Sequence, residues 1–308
     1  MTAAQRPPLA GVFPIVSSPF DASGDLDPDA LDALCAFIAG SGVHGAVYPA
    51  IASEFATLTR DERGFGVERV ARALRGRIAF VVGIADETPS LSAGHARQAA
   101  ELGADAVMLM APRSAGTTVE SVVSFCTAAL GDVTLPVILQ NAPPPLGSSL
   151  DIATLRGVCA RIPAIRYIKE EVVPCGQRIS ALRIGIPGLT GIFGGAGGRF
   201  VMDELARGAA GSMPACEIPE MHVALFRAFV EGRADTARTI FDRMLPLLNM
   251  GGVYRTPITK HILVQRGVIP HARHRDANPT LDGFDQRELA AIWARLEPHI
   301  AGLSREAP

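Results

Sequence analysis

With 308 residues, 29 Lys+Arg against 31 Asp+Glu and a formal charge of -2, the chain has no basic excess and no basic run, which argues against nucleic acid as its main partner. Hydrophobic residues at 48% against 19% charged permit a sizeable core and exclude disorder as the dominant state; the length suits one α/β barrel as well as two smaller domains. The opening stretch MTAAQRPPLAGVF has no apolar core of signal-peptide length, and no run approaches the ~18 apolar residues of a membrane helix, so a soluble cytoplasmic protein without membrane contact is expected.

Short, β-branched runs recur along the chain: GVFPIV (11–16), GAVYPA (45–50), IAFVVGI (78–84), ADAVMLM (104–110), LPVILQ (135–140), IRYIK (165–169), LTGIF (189–193) and GSMPA (211–215). Between them, stretches such as DPDALDALCAFIAGSG, SLSAGHARQAAELG and GRFVMDELARG place apolar residues at i, i+3, i+4 and i+7 and end near Gly, as helices do. The runs are nearly continuous rather than alternating, which fits strands buried on both faces of a parallel sheet. Eight such strands alternating with helices point to a (β/α)8 barrel over residues 1–218. A doubly wound open sheet would give the same pattern, but no GxGxxG follows the first strand. Beyond 218 the pattern is helical only, so residues 219–308 are expected to form a C-terminal helical extension packed on the barrel.

The sixth run, IRYIKEE, ends in Lys169. A lysine at a strand end is usually where the strand surfaces, because Lys is almost never fully buried unless paired. In a (β/α)8 barrel, however, chemistry sits at the C-terminal ends of the strands, and a lysine there fits a Schiff-base nucleophile. Alternation along an extended chain puts Glu171 on the same side as Lys169, two residues on, if the strand geometry continues; otherwise Glu171 is a solvated loop charge.

Cys35, Cys126, Cys159, Cys175 and Cys216 are scattered, odd in number and without CxxC spacing, so neither a disulfide framework nor a zinc site is indicated. The glycines of FGGAGG (193–198) follow a strand and precede a helix; they are either turn formers or a cradle for a phosphate or carboxylate. His271 and His274 show no metal spacing and read as solvated loop residues. Trp293 reads as core at helical spacing, and Tyr254-Arg255 as packing or a subunit contact.

The segments GVFPIVSSPFDASGDLD, GVHGAVYPAIASEFATLTRDER, LQNAP, YIKE and GAAGSMPA together resemble the dihydrodipicolinate synthase/N-acetylneuraminate lyase family of class I aldolase-type barrels, over roughly residues 10–300. The resemblance implies that Lys169 condenses with the keto carbon of a 2-keto acid. Where the family usually writes Gly-Thr-Thr-Gly-Glu, this chain has Ala50-Ile51-Ala52-Ser53-Glu54. Both carboxylate-binding hydroxyls are therefore gone, and Ser53 is the remaining hydroxyl donor, aided by backbone N–H groups, unless it only caps the following turn. Ala52, Glu54, Asn141 and Gly195 complete the substrate-contacting set that the resemblance implies.

Gln140 stands where the family usually has a proton-relaying tyrosine, and a glutamine cannot titrate; it can only orient a water or a hydroxyl. Pro145 falls where dihydrodipicolinate synthases carry an arginine, and Arg113 replaces a tyrosine common in them, which argues against lysine biosynthesis. Glu171 is unusual for the family, where small residues stand. Ser-Glu, Gln-Xaa-Ala-Pro and Lys-Xaa-Glu together resemble the L-2-keto-3-deoxyarabonate dehydratase-like branch. Asn141 and the loop PPPLGSS depart from it, at the place expected to meet the distal end of the substrate, where Arg113 or Arg199 offers a positive charge.

The resemblance thus implies a lyase in which Lys169 forms the iminium, Glu171 takes the C3 proton and Gln140 orients the leaving hydroxyl. No metal or organic cofactor is called for, since the iminium is the electron sink. An aldolase cleaving C3–C4 and a non-catalytic keto-acid-binding barrel are the alternatives. A homotetramer is expected, as is common in the family.

Overall fold

Each of the eight apolar runs becomes a strand, and all pair in parallel. The computed structural model describes residues 7–145 and 147–305; the first six residues of the opening stretch and position 146 of the PPPLGSS loop lie outside the described residues. The strands are β1 Gly11–Val12, β2 Gly45–Tyr48, β3 Ala79–Gly83, β4 Ala106–Met110, β5 Val137–Asn141, β6 Ile165–Glu170, β7 Gly191–Gly194 and β8 Gly211–Ser212. Their order, β1-β8-β7-β6-β5-β4-β3-β2, is brought nearly to closure where Ile15 bridges both Val47 and Ala215. This is a (β/α)8 barrel.

β1 and β8 are shorter than the runs that predict them for one reason. Each run contains a proline, Pro14 or Pro214, which has no N–H to give the ladder.

The helices between strands are α1 Pro28–Gly40, α2 Arg60–Leu74, α3 Pro89–Glu101, α4 Val119–Leu130, α5 Ile152–Arg161, α6 Cys175–Leu182 and α7 Val201–Ala206. Side chains cap the first five: Asp27, Thr59, Thr88, Thr118 and Asp151 each accept from a first-turn backbone N–H. Each cap is worth about 1 kcal/mol. At α2 it is reciprocal, since Glu62 also accepts from the Thr59 N–H.

Alternation along the strands sorts side chains into two cores. Phe13, Val47, Val81, Met108, Ile138, Tyr167, Phe193 and Met213 fill the barrel interior. Their neighbours, among them Ala46, Val82, Leu109, Leu139, Ile168 and Ile192, face the helix ring. Inward positions nearer the strands' C-terminal ends are left to polar residues, and that is where the candidate site lies.

α8 Pro219–Val230 follows β8 and packs on β1, so the division expected at 218 falls between β8 and the helix that covers β1. α9 Ala234–Tyr254, α10 Thr256–Gln265 and α11 Gly283–Arg305 then build a second apolar cluster around Met221, Leu225, Phe241, Leu247, Trp293 and Leu296. The stretch EMHVALF…LLNM, which reads as one run, breaks between α8 and α9 at Gly232, which sits at φ 76.

Candidate active site

Along β6, Tyr167 points into the barrel and Ile168 to the helices, so Lys169 points inward again at the barrel mouth. It is 3% exposed. The strand geometry continues one residue further than the assigned end, because the Glu171 N–H still donates to Asn141 O at 3.1 Å. Glu171 therefore returns to the side of Lys169, and its Oε1 lies 3.3 Å from Lys169 Nζ.

Two further groups fix that carboxylate. Gln140, inward-facing on β5 beside Lys169 in the register, donates from Nε2 to Glu171 Oε2 at 2.6 Å. The Ala196 N–H donates to Oε1 at 3.3 Å. The glycine run after β7 makes this approach feasible: a Cβ on Gly195 would stand 2.3 Å from Glu171 Cγ. Ala196, Gly197 and Gly198 all take positive φ, folding the loop back over the carboxylate. The cradle formed by FGGAGG thus holds a carboxylate of the chain itself. Arg199 braces the same loop by donating from Nε to Ala196 O at 3.0 Å.

Lys169, Glu171, Gln140 and Gly195 are brought together; the other predicted residues are not at this cluster. Asn141 follows Gln140 on β5 and so faces the helices. Its amide donates to Glu170 Oε1 and Oε2 at 3.0 and 3.1 Å, and its Oδ1 accepts the Leu150 N–H at 2.9 Å. Glu170, also outward, is ion-paired with Arg178 at 3.2 Å, and burial pushes its carboxyl up. Asn141 and Glu170 therefore anchor the loop after β5 from behind rather than meeting the mouth.

In the loop after β2, the Ser53 hydroxyl is fully buried, donating to Val16 O at 2.5 Å and accepting the Ala50 N–H at 3.0 Å. Both its bonds are spent on the fold of the turn. Ala52 packs against the inner barrel cluster at its rim. Ile51 and Ala52 open a short 3-10 turn, where the first N–H groups have no partner within the turn. Glu54 adopts φ 58 and sends its carboxylate away into the fold, to Lys260 Nζ at 2.5 Å and to the N–H groups of Arg275 and Asp276 at 2.6 and 2.9 Å. His274 and Asp276 come near enough to Glu54 to suggest a cation site, but those three donors already hold the carboxylate. His274 is half-buried against Asp276 at 3.0 Å rather than solvated.

A narrow cleft reaches Gln140 from the side of β2 to β4, bounded by Pro49, Phe55, Arg63, Met108 and Met110. Arg63 is tied by its guanidinium to Gly83 O and Ala85 O, each at 2.9 Å. Arg113 is exposed. All five cysteines are buried, and burial pushes each thiol up to about 12, so Cys175 is no nucleophile despite its nearness to the site.

One residue near the site has no counterpart in the sequence reading. Glu204 of α7 is 0% exposed, and among the described residues neither carboxyl oxygen has a hydrogen-bond partner. Burial first, then the charges of Glu171, Asp203 and Glu170, push it up to about 8. Its signal in the sequence is a glutamate three residues after Val201 and one before Leu205, on the apolar side of its helix.

The model of the dihydrodipicolinate synthetase family matches residues 8–292. The chain is 27% identical over 305 residues to the L-2-keto-3-deoxyarabonate dehydratase of Azospirillum brasilense, covering 97% of this chain and 98% of that one. It is 26% identical over 244 residues to a probable 2-dehydro-3-deoxy-D-pentonate aldolase of Escherichia coli (strain K12), covering 78% and 80%. The crystal structure of a dihydrodipicolinate synthase from Rhodopseudomonas palustris matches with a TM-score of 0.87 at 26% identity, over 94% of this chain and 98% of that one. The chain belongs to the dihydrodipicolinate synthetase family.

Proposed function

We propose that this family lyase dehydrates a 2-keto-3-deoxy sugar acid through a Schiff base on Lys169. The observation that carries the reading is the Glu171 carboxylate, 3.3 Å from Lys169 Nζ and held by Gln140 at 2.6 Å. A carboxylate beside the nitrogen that becomes the iminium is placed to act on C3 as a general base. Gln140 stands where the family's relay tyrosine is expected, and it does not titrate, so Glu171 is the proton carrier in this site.

In this mechanism neutral Lys169 attacks the C2 carbonyl and water leaves to give the iminium. The N–H groups of Ile51 and Ala52 receive the C1 carboxylate; the Ser53 hydroxyl supports them indirectly, by fixing the turn. Glu171 takes a C3 proton, giving the enamine. The enamine expels the C4 hydroxyl, which leaves as water with the proton returned by Glu171, while Gln140 orients it. Hydrolysis of the imine regenerates the lysine. Likeness to the dehydratase relative over nearly the whole of both chains supports this choice. The likeness to a probable pentonate aldolase makes C3–C4 cleavage the competing outcome.

Borohydride trapping with pyruvate and with a 2-keto-3-deoxy pentonate, read by peptide mapping in wild type and Lys169→Ala, tests the nucleophile. Product analysis without borohydride separates dehydration from cleavage. Absence of an adduct at Lys169 would overturn the mechanism. The homotetramer expected from the family belongs to the same reading and is tested by the mass in solution.

A further inference from the structure

Two consecutive glycines at the end of β7 each make room for a carboxyl group, on opposite sides of the strand. A Cβ on Gly195 would meet Glu171 on the mouth side, and a Cβ on Gly194 would stand 1.9 Å from Glu204 Oε2 on the helix side. One peptide unit therefore separates the backbone positions against which the two carboxyls rest.

Their surroundings are opposite. Glu171 has an ammonium, a side-chain amide and a backbone N–H on its oxygens. Glu204 has none of these, and the groups facing it are acidic: Glu171 and Glu170 from β6 and the loop after it, Asp203 from its own helix, and the neutral Cys175 thiol from α6. Two carboxylates in one poorly solvated region do not both ionise readily, and the better-partnered one keeps the charge. We propose that Glu204 is a positioning residue for the base: it holds its proton behind the Gly194–Gly195 step, so that Glu171 is the one carboxylate charge set against Lys169.

The inference rests on the reading of Glu171 as the base. No bond is made or broken at Glu204. While Glu204 is neutral, Glu171 is free to take the C3 proton and return it. When Glu204 ionises, a second carboxylate charge stands behind the Gly194–Gly195 step, and the return of the proton from Glu171 to the departing hydroxyl slows. Turnover should then fall as pH rises through about 8, the value to which Glu204 is pushed.

The test is infrared titration of the full-length protein, wild type, Glu204→Gln and Glu171→Gln. The expected result is a carbonyl stretch of an un-ionised carboxylic acid at neutral pH that disappears on titration near pH 8 and is missing in Glu204→Gln. In Glu171→Gln the same band should disappear about one pH unit lower or more, because the repelling charge is gone. A Glu204 that only packs its helix would leave the pH profile of proton exchange at the base unmoved. A band indifferent to Glu171→Gln, or no band assignable to Glu204, would overturn the inference.

Exchange of the pyruvate methyl protons in D2O, followed by NMR across pH, reads the consequence at the base. The alkaline decline expected in wild type should move or vanish in Glu204→Gln, and an unchanged profile would count against the inference. The two ideas fail differently: loss of the Schiff-base reading appears as no borohydride adduct at Lys169, whereas the infrared coupling needs no substrate.

Discussion

The Lys260 ammonium and the Glu54 carboxylate meet at 2.5 Å with neither side chain exposed, joining α10 of the C-terminal extension to the loop after β2. Lys260 also donates to Arg273 O at 2.7 Å and stands 4.1 Å over the Phe20 ring. Arg275, next along the same connecting segment, forks onto Glu62 at 2.6 and 2.8 Å. The extension therefore braces the turn that carries the N–H groups of Ile51 and Ala52.

Lys260→Met leaves the Glu54 charge buried without its cation, a change that costs about 3–5 kcal/mol. Denaturant unfolding should show that loss, and Lys260→Met/Glu54→Gln should recover at least half of it. The single variant should also raise KM, because the turn loses its support from below. Equal unfolding free energies for wild type and Lys260→Met would overturn the bracing role.

Glu171→Gln keeps the shape of the site and removes the proposed base. General acid–base groups contribute typically about 10²–10⁴-fold, so kcat should fall by that range while pyruvate still forms a borohydride adduct at Lys169. A variant that turns over at the wild-type rate would remove Glu171 from the mechanism.

Gly195→Ala tests the fit between the glycine loop and the base. A Cβ added there would meet Glu171 Cγ at 2.3 Å, a steric clash at the carboxylate-bearing side chain itself. Displacing the carboxylate by about 1 Å should lower kcat on the order of 10²-fold. A thermal midpoint close to wild type alongside that loss would separate mispositioning from misfolding.

Two buried groups give opposing pH dependences of stability. His222 is fully buried and desolvation lowers it to about 3, so the unfolded chain binds the extra proton below about 6.5, and stability from this group is lost as pH falls. Glu204 is raised to about 8, so the native state binds the extra proton, and stability from it is lost as pH rises from about 4.5 towards 8. Between pH 5 and 6.5 each contributes a slope of about 1.4 kcal/mol per pH unit, with opposite signs. Unfolding free energy of Glu204→Gln should rise by about 2 kcal/mol across that interval, and that of His222→Gln should fall by about as much, while wild type stays nearly flat. Parallel curves for all three proteins would refute this.

All eight strands were legible because a strand buried on both faces must be apolar throughout, whatever its partners. The lengths of β1 and β8 follow from Pro14 and Pro214, also visible in advance. Within the site, alternation along β6 places Glu171 beside Lys169, and the same alternation along β5 turns Asn141 away from Gln140. The roles of Ser53 and Glu54 were not legible. What each side chain meets is set by distant segments, Val16 for one and Lys260 and residues 275–276 for the other. Glu204 was weakly marked for a different reason: it lies on the apolar side of α7, but a lone acid in a short helix ordinarily faces water, and the packing of α7 on Gly194 decides against that.

The ladder bond from Glu171 N–H to Asn141 O makes the proposed base part of the barrel wall rather than of a mobile loop. Lys169 and Glu171 then move as one with two neighbouring strands, while the segments after β4 and β5 are free to differ in length and chemistry. Such a division suits divergence and redesign: grafting residues 111–118 or 142–149 from a relative should change which substrate is accepted and leave the Lys169–Glu171 geometry in place.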